Sequence, residues 1–64
     1  MPYTLKQLRA LRDLTQKEVA DELGVSELTL ANYEKGIRQP TATTIKKIMK
    51  FYDVKFDDII FLSK

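Results

Sequence analysis

Four hydroxyl residues punctuate this chain. Thr4, Thr15, Ser26 and Thr41 each stand before a run whose apolar residues recur at helical spacing. Thr4 with Gln7, and Thr15 with Glu18, read as capping boxes: the hydroxyl accepts a first-turn N–H, and the Gln or Glu returns to the cap's own amide. Tyr3, Leu14 and Val25 precede three of the caps and are spaced to staple onto Leu8, Val19 and Leu30. Gly24 and Gly36 stand where a left-handed residue would stop a helix, and Pro40 disfavours a helical Gln39. The first helix is expected to end near Asp13. Asp53 takes the exit turn of the fourth, where glycine would be easier.

The inward stripes follow from the same spacing. They are Leu5, Leu8 and Leu11, then Val19, Ala20 and Leu23, then Leu30 and Tyr33, then Ile45, Ile48, Met49 and Tyr52. A short fifth helix, about Phe56 to Ile60, is expected because Phe56, Ile59 and Ile60 fall at i, i+3 and i+4. Lys55 is a poor cap for it. The expected fold class is all-α, a compact domain of five helices filling residues 1–64.

At 64 residues the chain holds one domain at most, and such a domain is marginally stable. It contains no cysteine and no histidine, which removes disulfides, thiolate metal sites, thiol nucleophiles and the commonest general base. No enzyme, cofactor, metal or small-molecule ligand is expected. Asp57 and Asp58 read as first-turn charge at a helix start. No apolar run is long enough to span a membrane and no signal-peptide pattern opens the chain, so a cytoplasmic protein is expected.

The net charge is only +2, and its distribution says more than its size. Lys6, Arg9 and Arg12 form a first basic block. Lys35, Arg38, Lys46, Lys47 and Lys50 form a second, and the stretch between carries six acids against Lys17. A fold that joins the two blocks makes one basic face; otherwise they are solvated helix faces.

The central unit is two capped helices, about residues 15–35, joined by Leu23-Gly24-Val25-Ser26. A Gly-containing turn of this length between short amphipathic helices is the helix-turn-helix pattern. The run from Leu14 to Ser26, followed by Leu30, Glu34, Gly36 and Pro40, resembles the Cro and phage-repressor family of helix-turn-helix domains. Leu5, Leu8 and Arg9 before it and Val54 to Ile60 after it extend the resemblance over nearly the whole chain. The resemblance implies a five-helix, lambda-repressor-like domain, usually dimeric on DNA, whose third helix reads bases.

Residue roles follow from that resemblance, position by position. Gln16 matches a phosphate-binding position at the start of the second helix, where the N-terminus also favours an anion. Glu27, Leu28, Thr29 and Asn32 match the base-reading face. Asn32 suits adenine N6 and N7, Leu28 a thymine methyl, and Glu27 cytosine N4. Lys35, Arg38 and Gln39 match the loop that tracks the backbone. Thr41 and Thr43 open a further helix N-terminus able to meet a phosphate, although Thr41 serves equally as a cap alone. Arg9 and Glu34 match a largely buried structural ion pair. Glu27 departs from many relatives, which carry polar or basic residues there.

The leading expectation is a sequence-specific transcriptional regulator, acting as a homodimer on a double-stranded DNA operator. The alternative is a protein-interaction module of the same fold, favoured by the small net charge and by Glu27. The dimer segment is expected at about residues 56–62, through Phe56, Ile59, Phe61 and Leu62. Phe56, Ile59 and Ile60 would hide one helical face against the body, leaving Phe61 and Leu62 for a partner. The competing arrangement folds Phe61 and Leu62 back onto the first helix.

Overall fold

The hydroxyl caps set the architecture. In a computed structural model, whose described residues are 2–63, four α-helices follow them: α1 (Leu5–Leu11), α2 (Gln16–Leu23), α3 (Glu27–Lys35) and α4 (Ala42–Tyr52). Thr4 Oγ1 accepts from the Gln7 amide at 3.2 Å, and Gln7 Oε1 accepts from the Thr4 amide at 2.9 Å. Thr15 and Glu18 close the same reciprocal box at 3.1 and 2.9 Å. Those bonds hold the exposed Glu18 carboxyl below its ordinary range, the Thr15 backbone N–H contributing most. Ser26 accepts from the Thr29 amide at 3.0 Å, and Thr41 from the Thr44 amide at 3.2 Å.

The helices stop by left-handed residues. Gly24 (φ +72°) ends α2 and Gly36 (φ +78°) ends α3. Asp53 ends α4 at φ +54°, and Asp13 follows α1 at φ +53°. Each Asp there carries the steric cost of a Cβ in the left-handed region, a cost Gly avoids.

Leu5, Leu8, Val19, Ala20, Leu23, Leu30, Tyr33, Ile48, Tyr52 and Ile59 form the core. Ile48 and Val19 are fully enclosed, so α2 and α4 meet over the floor of the helix-turn-helix. Tyr3, Leu14 and Val25, the three staple residues, pack against this core from its edge. Leu11 departs from the expected stripe. It is 66% exposed, as the last residue of α1. Burial pushes the Tyr52 hydroxyl up to about 12, and the nearby Glu34 carboxylate adds to the shift.

The fifth helix does not form. Residues Phe56–Asp58 make a single 3-10 turn, and Ile59–Ile60 extend into a two-residue strand. That strand, β2, pairs in parallel with β1 (Tyr3–Thr4), Tyr3 opposite Ile59 and Thr4 opposite Ile60. Three physical reasons favour this outcome. A helix of five residues gains too few hydrogen bonds to offset nucleation. Two adjacent β-branched isoleucines suit extended backbone. The Asp58 carboxylate takes the Lys55 amide at 3.1 Å, closing the turn locally. The expected burial changes with it. Ile59 is buried, whereas Phe56 is 52% and Ile60 41% exposed. Among the described residues no helix is long and apolar enough to cross a membrane.

Candidate nucleic-acid interface

The surface of interest is built where α1, α2 and α3 meet. Arg9, on α1, reaches Glu34, on α3, with both ends of its fork: Nε to Oε2 at 2.8 Å and Nη2 to Oε1 at 3.2 Å. Its remaining Nη1 donates to the Leu14 carbonyl at 3.0 Å, tying in the turn before α2. The Glu34 side chain is only 4% exposed and that of Arg9 17%. The hydrogen bond to Glu34 is the main cause that raises the Arg9 guanidinium above its usual range. The bidentate geometry and the deep burial of the carboxylate make this pair a strut between α1, α3 and the α1–α2 turn.

Gln16 joins the same carboxylate. Its Nε2 donates to Glu34 Oε1 at 3.1 Å, so the first residue of α2 is anchored to α3 by its own side chain. A carboxamide nitrogen has two N–H donors, and one remains for another acceptor. An open groove of about 740 Å³ lies beside this strut, lined among others by Lys6, Gln16, Lys17, Glu27, Ala31 and Lys35. Lys6 of the first basic block and Lys35 at the start of the second thus line one groove, together with the acids Asp13, Glu27 and Glu34, whereas Lys47 and Lys50 line another beside Glu22. Lys6 and Lys17 line this groove although the sequence reading gave them no role. The membership of Lys6 in a basic block was the one signal for it. Lys17 also pairs with Asp21 at 3.3 Å, with both side chains about two-thirds exposed.

The outer face of α3 carries Glu27, Leu28, Thr29 and Asn32. Glu27 and Leu28 are exposed, and Thr29 and Asn32 are half-buried. Leu28 is 70% exposed, the largest value among the large apolar side chains. Thr29 is partly committed, since its Oγ1 accepts from Ser26 Oγ at 2.9 Å. Glu27 has no ion-pair partner among the described residues. Past α3, Lys35, Arg38 and Gln39 are all exposed. Arg38 and Ile37 donate their amides to the Asn32 carbonyl at 3.3 and 3.0 Å, which folds the loop back onto the last turn of α3. Gln39 is engaged elsewhere, its Nε2 donating to the Leu62 carbonyl at 2.6 Å. Thr41 caps α4, and Thr43 stands exposed in its first turn.

The arrangement is a scaffolded helix with its opposite side locked in the core, flanked by a basic loop and a second helix N-terminus. Its connectivity and turn are those that the helix-turn-helix family profile matches over residues 5–59. The chain belongs to the helix-turn-helix family of transcriptional regulators.

Three relatives of this helix-turn-helix chain carry the names of transcriptional regulators. The cryptic phage CTXphi transcriptional repressor RstR of Vibrio cholerae is 41% identical over 56 residues, covering 88% of this chain and 50% of its own length. An uncharacterized HTH-type transcriptional regulator of Methanocaldococcus jannaschii is 46% identical over 59 residues, covering 92% of this chain and 89% of its own length. The HTH-type transcriptional activator BcrR of Enterococcus faecalis is 36% identical over 56 residues, covering 88% of this chain and 28% of its own length. The chain thus spans half of one of these regulators, most of another and under a third of the last. Arg9, Glu34 and the α3 face all lie inside the region that the family profile matches.

Among the described residues, no group of His, Cys, Asp or Glu side chains is placed to hold a metal ion.

The C-terminal residues expected at a dimer interface are split by the strand. Ile59 belongs to the core and is only 7% exposed, so it leaves that set. The Phe56 and Phe61 rings lie 5.6 Å apart, and Leu62 is 42% exposed. Phe61 is half-buried against the core, an arrangement intermediate between the two expected from sequence.

Proposed function

We propose that this chain binds double-stranded DNA sequence-specifically in the cytoplasm and regulates transcription, with α3 inserted in the major groove. The observation that carries the reading is the outer face of α3: Glu27, Leu28, Thr29 and Asn32 project from a helix fixed by Arg9–Glu34, beside the exposed Lys35 and Arg38. A polar face with one outstanding exposed leucine suits base edges and a thymine methyl better than it suits water alone. Gln16, Thr43 and the N-terminus of α2 supply backbone contacts that set register without reading sequence.

The test is salt dependence. Lys35→Ala and Arg38→Ala are each expected to weaken binding nearly evenly across duplex sequences, and to flatten the slope of log affinity against log salt by about one unit. Parent-like slopes in both variants would remove the loop from the interface. The unpaired Glu27 favours a second reading, a module that docks on protein. Absence of any salt-dependent retention on DNA would select it.

The proposed assembly is a homodimer through Phe56, Phe61 and Leu62, joined by the exposed Ile60. A two-fold axis near this segment suits two α3 helices one DNA turn apart, roughly 34 Å. Phe61→Ser combined with Leu62→Ser is expected to give a folded monomer of weak operator affinity. Sedimentation reads the outcome, and a parent chain already monomeric at high concentration counts against the dimer.

A further inference from the structure

The C-terminal residues cross the end of α3 at very close range. A Cβ placed on Gly36 would lie 2.8 Å from both the carbonyl carbon and oxygen of Leu62, and 3.0 Å from its Cβ. Gly36 is itself buried, although it stands at a helix end. Three residues on, Gln39 donates its amide to that same Leu62 carbonyl at 2.6 Å. Gly24 provides the contrast. It has nearly the same backbone conformation at the end of α2, yet its nearest neighbour would be the mobile end of Lys47, 3.7 Å away. Left-handed backbone alone explains a glycine at 24. At 36 the tail's backbone also fills the space a side chain would need.

We infer that Gln39 is a positioning residue: it latches the C-terminal tail at Leu62 against residues 36–40, and the latched tail holds Arg38 in place for the DNA backbone. The inference rests on the proposed phosphate role of that loop. The loop has two walls. On one side the Ile37 and Arg38 amides close onto the Asn32 carbonyl. On the other the tail lies on Gly36 and is held by Gln39. Releasing the second wall frees Arg38 to move, although its own side chain and charge are untouched.

The experiment compares full-length Gln39→Ala, Gly36→Ala, Gly24→Ala and Arg38→Ala. Amide exchange and NMR shifts report the loop without any ligand. Binding to a short random-sequence duplex across a salt series reports the phosphate contacts. Loss of the latch in Gln39→Ala is expected to raise exchange at Ile37 and Arg38 by about 2- to 10-fold, the range for one net hydrogen bond. It is also expected to shift the Leu62 signals and flatten the salt slope toward that of Arg38→Ala. Glutamine is neutral, so loss of a direct Gln39–phosphate contact would lower affinity at an unchanged slope. Gly36→Ala is expected to reproduce the pattern, while Gly24→Ala, with comparable backbone strain, leaves Leu62 unmoved. If Gly36→Ala does not fold, Gln39→Ala decides alone. Unchanged exchange at Ile37 and Arg38 in Gln39→Ala overturns the latch. Faster exchange with a parent-like slope, where Arg38→Ala has flattened it, overturns the positioning role. A parent-like slope in Arg38→Ala refutes the phosphate reading of the loop, and with it the function assigned to the latch.

Discussion

Arg9→Ala is expected to destabilise the fold by about 3–5 kcal/mol, the usual cost of leaving one member of a buried ion pair behind. The Glu34 carboxylate would keep only the Gln16 amide, with its side chain 4% exposed and little water able to replace the guanidinium. The same substitution also removes the Arg9 bond to the Leu14 carbonyl and so loosens the entry to α2. A domain of this size has a total stability of about 3–10 kcal/mol, so much of it would be lost. Urea or thermal unfolding measures this directly. A midpoint equal to that of the parent would mean that the pair contributes nothing. The companion Arg9→Met with Glu34→Leu is expected to recover most of the loss, because no stranded charge remains.

Asn32→Ala is expected to lose about 1–3 kcal/mol against one base pair of the preferred site and to relax the preference there. The effect should be confined to that position, since the Asn32 backbone carbonyl still closes the loop. Glu27→Gln is expected to change a neighbouring preference and to strengthen binding to unrelated duplexes, because an acid beside phosphates opposes non-specific association. Selection from a random duplex pool, run with parent and both variants, reads all three effects. Identical selected sites from all three proteins would show that α3 is not the reader.

The four α-helices were legible because their boundaries are set by neighbours in sequence. Thr4 meets Gln7 and Thr15 meets Glu18, each three residues away, and Gly24 and Gly36 need no partner to turn left-handed. The ending failed for the opposite reason. Ile59 and Ile60 have helical spacing with Phe56, but their backbone partners are Tyr3 and Thr4, at the far end of the chain. No local pattern carries that pairing. Gln39 is a similar case: its family position suggested a phosphate, whereas its amide meets a carbonyl 23 residues later. Arg9 and Glu34 are just as distant in sequence. They were legible only because the resemblance supplied the pairing, which composition and spacing alone did not.

The parallel pairing of Tyr3–Thr4 with Ile59–Ile60 has a kinetic and mechanical consequence. It closes a loop containing all four helices, so its entropic cost is met last, after helix contacts between neighbours have formed. Two residues per strand gain little for that closure, which makes the pair the natural place for the native state to open first while the helices persist. Because the strands run the same way, tension applied to the two ends pulls them past each other in shear. Both residue pairs then bear load together, where an antiparallel arrangement would peel one pair at a time.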